Sequence, residues 1–314
     1  MPDVVAVGNV NLDIMARIPY WPKEDEKLVA EQAHVCLGGA AANFAIACSK
    51  LGLSCGLIAV VGDDVLGHLV LKALGKEGVD VSHIAHAHGA HTGIALVLQA
   101  GSSRGLVSCR GANDLLSPEH IDIAYLASSR LVLAASVRLQ IARALASACS
   151  ELGIPLLLDP GGTLASRSLP ELRDVLRAVW AFLPNEVELL KITGLGDLRT
   201  ACEAVASTGV ELLAIKAGAK GCFIYDRGRL VHVEALCPKR ITDPTGAGDA
   251  FNAGFTLGTL RGLDPVSSAK LGIALATLKL ERLGASNMPG LEELRALLSS
   301  KGWAHLLEGA GGRP

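Results

Sequence analysis

The chain has 314 residues, a net charge of −2 and no long basic run, which argues against a nucleic-acid-binding protein. Half of the residues are hydrophobic but only 4% are aromatic, so Ala, Val, Leu and Ile must build the core, as in parallel sheets covered by helices. There is no signal-peptide pattern, no apolar run long enough for a membrane span and no regular cysteine framework, and we therefore expect a cytoplasmic protein.

Strand-like and helix-like segments alternate along most of the chain. The predicted strands are 4–7, 28–35, 57–61, 92–99, 106–109, 131–135, 155–158, 181–183, 212–216, 222–225 and 230–236. The predicted helices are 40–50, one ending near 76, 139–152, 169–179, one on each side of 194–196, one after 246, one after 264 and 291–299. This alternation predicts an α/β fold with a mostly parallel central sheet, whose ligand site lies beyond the carboxyl ends of the strands.

We expect a single domain over residues 1–308 and a flexible tail over 309–314. The strands within about 14–36 and 91–110 do not fit the alternation, and they could form a small second sheet. Four histidines crowd into 83–91, but the stretch reads as a linking loop without the fixed spacing of a metal site.

The stretch 243–252, Asp-Pro-Thr-Gly-Ala-Gly-Asp-Ala-Phe-Asn, follows a strand and opens a helix. Gly246 and Gly248 lie where backbone N–H groups lack helical partners, so this turn can cradle a phosphate. Asp249 lies in the same first turn, where we expect the helix dipole to keep it ionised near neutral pH. An anion cradle beside a fixed carboxylate suggests phosphoryl transfer to a hydroxyl. The alternative is a plain turn followed by an acidic residue that favours the dipole.

The helix that begins in this stretch carries two stripes at i, i+4 spacing. Phe251 and Phe255 form one, and the small residues Ala250, Gly254 and Gly258 form the other. The small side chains should let another element approach closely. Other nucleotide-binding signals are missing: there is no GxxxxGK[ST] for a P-loop, no HRD or DFG set for a protein kinase, and no third glycine for a dinucleotide fingerprint.

The stretch 243–252 resembles the C-terminal signature of the ribokinase-like (PfkB) carbohydrate kinases, and the resemblance extends over 4–289. It implies the ribokinase-like fold with a small β lid, and an ATP- and Mg²⁺-dependent kinase that phosphorylates a hydroxyl of a sugar or sugar-like molecule. In this family the carboxylate matching Asp249 is the catalytic base. Three backbone amides would stabilise the transferring charge, those of Gly246, Ala247 and Gly248.

Further motifs carry the resemblance and imply binding residues. The acceptor would be bound by Asn11, Asp13, Gly38, Gly39 and Asn43. The nucleotide would be bound by Asn185, Lys216, Gly218, Gly221, Thr245 and Gly248. Glu188 would help to hold Mg²⁺ through water, and Asp243 and Thr245 match positions that bind a monovalent cation such as K⁺ in some members. Each motif also has an ordinary structural explanation. Asn11 and Asp13 could form an Asx-turn that closes a strand, and Gly38 and Gly39 a tight turn into a helix. Asn185 could be a helix N-cap, and Gly218 and Gly221 could be hairpin glycines.

The sequence also departs from the family pattern. Ala40 takes the place of a lysine, and Ser136 and Val137 stand where typical ribokinases carry a glutamate, which weighs against ribose as the acceptor. Met288 weighs against potassium activation.

Two rival functions are a nucleoside kinase, in which Tyr20 and Trp21 could stack on a base, and a non-catalytic sugar- or nucleotide-binding regulator. The intact motif with Asp249 argues against the regulator, which would not need this carboxylate. We expect a small-molecule sugar or nucleoside as partner, no nucleic acid, no membrane, and a homodimer through the lid strands.

Overall fold

The computed structural model describes residues 1–101 and 103–308, so the tail predicted over 309–314 lies outside the described residues. The strands are β1 (Val4–Gly8), β2 (Asn11–Ile18), β3 (Gln32–Gly38), β4 (Cys55–Gly62), β5 (Ile84–Ala87), β6 (Gly93–Ala100), β7 (Ser103–Cys109), β8 (Leu131–Ala135), β9 (Leu156–Asp159), β10 (Ala181–Phe182), β11 (Leu212–Lys216), β12 (Cys222–Asp226) and β13 (Arg229–Val233). The α-helices are α1 (Ala40–Lys50), α2 (Val65–Lys76), α3 (Ile123–Ala127), α4 (Leu139–Leu152), α5 (Gly161–Leu164), α6 (Leu169–Leu176), α7 (Glu186–Thr193), α8 (Leu198–Ala206), α9 (Ala247–Leu260), α10 (Pro265–Leu280) and α11 (Leu291–Ser300). Within the described ranges, no helix has both the length and the apolar character needed to cross a membrane.

The large sheet has the strand order β13-β12-β11-β10-β9-β8-β1-β4-β5. Neighbours from β11 to β5 run parallel, and β12 and β13 continue the sheet as antiparallel strands. Val4 and Ala6 belong to one hydrophobic cluster and Val5 and Val7 to another, because successive side chains of a strand point to opposite faces. Helices α1, α9 and α10 pack into the first cluster, and α4, α6 and α8 into the second. The prediction of an α/β fold with a mostly parallel central sheet is confirmed.

The second sheet, which we call the lid, has the order β3-β2-β6-β7. Strand β2 runs antiparallel to β3 and parallel to β6. Its first residue, Asn11, pairs with Gly38 on one side and Gly93 on the other. Since β1 ends at Gly8, the lid begins just after the carboxyl end of this strand of the large sheet.

The small-residue stripe of α9 packs directly against α10. A Cβ added at Gly254 would lie 2.6 Å from the carbonyl oxygen of Leu271 and 2.8 Å from the Cα of Gly272. One added at Gly258 would lie 2.7 Å from the Cα of Ser268. The predicted close approach of another element is therefore confirmed, and it fixes α9 at a short distance from its neighbour.

Two stretches differ from the sequence-based expectation. The sequence predicts a turn at Asn11 and Asp13 and a strand over 28–35, but β2 begins at Asn11 and β3 begins only at Gln32. Asn and Asp favour turns when local hydrogen bonds decide, whereas here strands pair on both sides of β2. The histidine-rich stretch predicted as a loop contains the short strand β5, which pairs with β4 at the edge of the sheet and has one β-branched residue to signal it.

We predict that Gly254→Ala lowers the free energy of unfolding by about 1–3 kcal/mol, because the new methyl group overpacks the α9–α10 contact. The matched control is Gly75→Ala in α2, where an added Cβ meets no atom within 4 Å. It should stabilise the protein by about 0.5–1 kcal/mol through helix propensity. Urea unfolding curves of the two variants measure both changes, and similar values for both would contradict the packing argument.

Candidate active site

The start of α1 presents its backbone toward the lid. Gly39 is the N-cap residue of α1 and has φ of 94°, a conformation that residues with a side chain rarely adopt. Gly38 lies against the carboxylate of Asp13, so that any Cβ there would overlap the carboxylate oxygens. One turn further on, the buried Asn43 donates from Nδ2 to Oδ2 of Asp249 at 2.8 Å. The structure thus brings the candidate acceptor residues together with the candidate base.

Asn113 holds the candidate residue Asn11 in place. Its Oδ1 accepts from the backbone N–H of Val10 at 2.8 Å, and its Nδ2 donates to Oδ1 of Asn11 at 2.9 Å. Arg110, in the same loop, is paired with Asp114 at 2.6 Å. Sequence reasoning missed Asn113, which lies shortly after the end of β7.

Asp13 is a buried carboxylate of β2. Burial raises its pKa to about 6, the charge of Arg104 on β7 opposes that rise, and Asp243 adds to it. Within residues 1–101 and 103–308, Oδ1 of Asp13 and Oδ1 of Asn43 are buried without a hydrogen-bond partner. Buried polar atoms are nearly always paired, and both of these oxygens are acceptors. They are therefore suited to receive hydroxyl groups of a small molecule.

The first turn of α9 exposes backbone amides. Gly246 caps the helix with φ of 81°, and a Cβ there would overlap the carbonyl oxygen of Ala285. In the described part of the chain, the N–H groups of Gly246 and Gly248 donate to no protein acceptor, whereas that of Ala247 donates to the Pro244 carbonyl at 3.2 Å. Two of the three amides predicted to bind an anion are therefore available, and the third is engaged.

The protonation of Asp249 differs from the expectation. The helix dipole was expected to keep this carboxylate ionised near neutral pH, but loss of solvent raises its pKa to about 7. The hydrogen bond from Asn43 lowers the pKa, the charge of Asp159 raises it, and Lys216 lowers it again. Desolvation and a neighbouring like charge outweigh the dipole, and the resulting pKa suits a general base at neutral pH.

A buried polar cluster connects the ends of two strands to α9. Nζ of Lys216, the last residue of β11, lies 2.5 Å from Oδ2 of Asp159, the last residue of β9. The side chain of Asn252 in α9 donates to the same oxygen at 2.6 Å. Although burial opposes the ammonium charge, Asp159 keeps the pKa of Lys216 above its usual value. Sequence reasoning missed Asp159 and Asn252; the signal for Asp159 was its position at the carboxyl end of a predicted parallel strand.

Asn185 and Glu188 form the capping box at the start of α7. Oδ1 of Asn185 accepts from the backbone N–H of Glu188 at 2.8 Å, and Oε2 of Glu188 accepts from the N–H of Asn185 at 2.9 Å. Both side chains therefore have a structural role as caps of α7. Burial and the charge of Asp159 raise the pKa of Glu188. Two carboxylates that repel each other fit a divalent cation with oxygen ligands such as Mg²⁺.

An apolar cavity of about 510 Å³ lies beside α9. Four of the predicted nucleotide-binding residues line it, namely Lys216, Gly218, Gly221 and Gly248. Ile241, Phe251 and Ile273 supply apolar walls. Apolar walls with a few polar groups at one end are typical of small-molecule sites. Asn185 and Thr245 are not among the lining residues.

Asp243 and Thr245 form a closed turn. Oδ1 of Asp243 accepts from the N–H and hydroxyl of Thr245 at 2.9 and 2.6 Å, and Oδ2 accepts from Gly284 N–H at 3.0 Å. Behind this turn lies Lys279, which is fully buried. Burial lowers its pKa and the charge of Asp243 raises it. These residues do not fit a bound monovalent cation, because both carboxylate oxygens of Asp243 already accept hydrogen bonds and the buried ammonium group of Lys279 donates to the Arg282 carbonyl, two residues before Gly284.

The aromatic residues that suggested a nucleoside acceptor are tied to the lid. Trp21 packs over Gly105, and its indole N–H donates to the hydroxyl of Ser103 at 3.2 Å. The hydroxyl of Tyr20 donates to Glu26 at 2.7 Å. These contacts favour a packed connection over a stacking platform. In the described ranges, no group of three or more His, Cys, Asp or Glu side chains is placed to hold a metal ion.

Known proteins are similar to this chain over most of its length. The sequence profile described as pfkB family carbohydrate kinase matches residues 1–293. The ribokinase of Haemophilus influenzae is 29% identical over 301 residues, which cover 92% of this chain and 96% of the relative. The ATP-dependent ribose-1-phosphate kinase of Halopiger xanaduensis is 30% identical over 308 residues, covering 96% and 99%.

A solved structure shares the fold. The structure of Arabidopsis thaliana ribokinase complexed with ribose and ATP superposes with a TM-score of 0.85 at 27% identity, covering 95% of this chain and 98% of that one. The resemblance seen in the sequence motifs is confirmed by both kinds of comparison, and the second sheet corresponds to the predicted lid. The chain therefore belongs to the pfkB family of carbohydrate kinases, phosphotransferases that use an alcohol group as acceptor.

Proposed function

We propose that this kinase transfers the γ-phosphoryl group of ATP, together with Mg²⁺, to a hydroxyl of a sugar or sugar-like molecule, with Asp249 as the base. The observation that carries the proposal is the position of this carboxylate. It is held by Asn43 at 2.8 Å, in the same helical turn as the free amide of Gly248, which lines the apolar cavity. Asn43 follows Gly38 and Gly39 at the start of α1, so a hydroxyl bound beside Asp13 and Gly38 would lie near the Asn43–Asp249 pair.

The roles follow from the charge changes of phosphoryl transfer. The reaction is largely dissociative, so the acceptor proton leaves late and the base mainly orients the hydroxyl. Asp249 accepts the proton, and the backbone N–H groups of Gly246 and Gly248 donate hydrogen bonds that stabilise the negative charge on the phosphoryl oxygens. Glu188, close to Asp159, would hold Mg²⁺ through water, and the metal supplies neutralisation of phosphate charge when bound.

A neutral sugar is the first candidate acceptor, because Asp13 and Asn43 offer hydroxyl-binding oxygens. A sugar phosphate is the second. The charge of Arg104 on the lid reaches Asp13, and the Halopiger relative bears the name of a ribose-1-phosphate kinase. A screen of ATP consumption against pentoses, hexoses, their phosphates and nucleosides separates these classes.

Three finer expectations stay predictions, namely a cytoplasmic location, a homodimer through the lid strands and the absence of nucleic-acid and membrane partners. Potassium is not part of the proposed reaction, because both carboxylate oxygens of Asp243 already accept hydrogen bonds.

For Asp249→Asn we expect kcat to fall by about two to four orders of magnitude while ATP affinity is kept, since the change removes the proton acceptor and keeps the shape. In the wild type, kcat/KM should decrease as pH falls below about 7, because only the ionised carboxylate accepts a proton. The variant should lose this acidic limb. Steady-state kinetics across pH measure both effects.

Asp264→Asn is the matched control for Asp249→Asn, because Asp264 caps the next helix and Asn is an equally good cap. It should keep kcat and the pH profile. If Asp249→Asn retains more than about a tenth of the wild-type kcat, less than ~1.4 kcal/mol of the barrier depends on this carboxylate and the base lies elsewhere.

Asp13→Ala should weaken acceptor binding by about 1–3 kcal/mol, because it leaves a bound hydroxyl without a partner. ATP affinity should change little. Calorimetric titration with each ligand distinguishes the two. Glu31→Ala removes an exposed carboxylate that pairs with Arg17 at 3.6 Å, and it should alter neither affinity. Equal losses for both ligands in Asp13→Ala would indicate a folding defect and remove the assignment.

Glu188→Gln should raise the Mg²⁺ concentration needed for half-maximal activity without unfolding α7, because Gln can still accept the capping hydrogen bond from Asn185. Glu171→Gln alters the capping box of α6 in the same way and should leave the Mg²⁺ titration unchanged. A Mg²⁺ titration of Glu188→Gln that matches the wild type would exclude Glu188 from the metal site.

A further inference from the structure

Residues 280 and 284–285 contact the turn that precedes α9 from two sides, and we call this set of contacts the grip on the turn. The N–H groups of Thr242 and Asp243 both donate to the carbonyl of Leu280, at 2.7 and 3.2 Å. From the other side, Gly284 donates to Oδ2 of Asp243 at 3.0 Å. Gly246 then lies against the carbonyl of Ala285 so closely that only glycine fits. The segment 280–285, which follows from the last residue of α10, therefore sets the position of the turn 242–246.

Lys279 places a charge inside this grip. It is the last lysine of α10, and its side chain has 0% relative exposure. Its Nζ donates to the carbonyl of Arg282 at 3.2 Å. The charged and titratable groups that act on it are Asp243, Arg282, Asp249 and Cys36. A lysine at a helix C-terminus favours the dipole even when exposed, so the dipole alone does not explain complete burial.

The charge of Asp243 gives a reason for that burial. This carboxylate is 4% exposed and accepts from neutral donors only, the N–H and hydroxyl of Thr245 and the N–H of Gly284. No Lys, Arg or His nitrogen lies within 4.0 Å of this carboxylate among residues 1–101 and 103–308. A buried charge without compensation is costly, and a positive charge nearby offsets that cost. Lys279 is a buried cation of the appropriate sign, and its Nζ donates to the Arg282 carbonyl, two residues before the Gly284 N–H that donates to Asp243.

We propose that Lys279 supplies, from within the chain, the positive charge that a bound monovalent cation would supply at the Asp243 turn, so that the turn keeps its working geometry without K⁺. Lys279 is thus a positioning residue: it acts through Asp243 and the grip on the turn, and it touches no reacting atom. The consequence for catalysis rests on the proposed function, since the positioned turn carries Gly246, Gly248 and Asp249.

The first experiment compares wild-type turnover in KCl with turnover in tetramethylammonium chloride at equal ionic strength. The organic cation is too large to enter a protein oxygen site. We expect rates that agree within about twofold, a difference of less than ~0.5 kcal/mol in barrier. A wild-type rate at least about tenfold higher in KCl would overturn the proposal, because the site would then need an external cation.

The second experiment removes the ammonium group. In tetramethylammonium chloride, Lys279→Ala should lose at least about tenfold in kcat, and KCl should restore most of it, since K⁺ can enter the vacated space. Lys279→Met fills that space with an uncharged chain, so KCl should restore less. Lys270→Ala is the matched control: Lys270 is on the same helix and lies over the Trp303 ring at 5.2 Å. Its kcat should depend on K⁺ as little as that of the wild type.

A third measurement does not require activity. K⁺ that binds only the folded state raises the melting temperature, so KCl should stabilise Lys279→Ala relative to tetramethylammonium chloride and leave the wild type unchanged. A folded Lys279→Ala with full activity in tetramethylammonium chloride, or with a loss that KCl does not restore, would overturn the proposal. If no acceptor is phosphorylated by the wild type, the proposed function fails, and the melting temperatures still decide the role of Lys279. If Lys279→Ala does not fold, the wild-type comparison and Lys279→Met decide it.

Discussion

The buried ion pair between Asp159 and Lys216 is the contact on which this edge of the sheet depends. Its two residues end β9 and β11, and Asn252 of α9 donates to the same carboxylate oxygen as the ammonium group. Removing one partner of such a pair leaves an uncompensated buried charge and typically costs about 3–5 kcal/mol. The pair therefore fixes where α9 starts relative to the strand ends, and with it the place of Gly248 beside the apolar cavity.

The same cluster explains the protonation of the candidate base. The charges of Asp159, Glu188 and Asp249 all act on the Lys216 ammonium group, and Lys279 adds a second positive charge that acts on Asp249. Desolvation, together with the like charge of Asp159, raises the pKa of both Glu188 and Asp249. The helix dipole lowers the pKa of Asp249, but it is equivalent to only about half an elementary charge. In a desolvated environment, its effect is smaller than that of a full neighbouring charge. Binding of a divalent cation together with phosphates would change the balance of charge in this cluster.

Sequence patterns predicted those elements whose signals are local. Helix α4, from Leu139 to Leu152, and strand β11 have the predicted bounds, because apolar periodicity and flanking glycines mark them. Strand β2 was missed because Asn11 and Asp13 favour turns locally, and its pairing partners are far away in sequence. Asp159 and Lys279 were missed for a similar reason: single charged residues beside apolar runs carry no motif, and only the folded chain shows which charges they meet.

The proposed site has two parts, each built by different elements. The proposed acceptor side is built by β2, β3 and the start of α1, which includes Ala40, and the charge of Arg104 on β7 acts on its Asp13. The phosphoryl-transfer side is built by the turn before α9, which α10 grips from behind. Only the hydrogen bond from Asn43 to Asp249 crosses directly between their side chains in the described part of the chain. We therefore expect a change at Ala40 to affect the proposed acceptor side more than the turn, and a change at Lys279 to affect the turn more than the acceptor side.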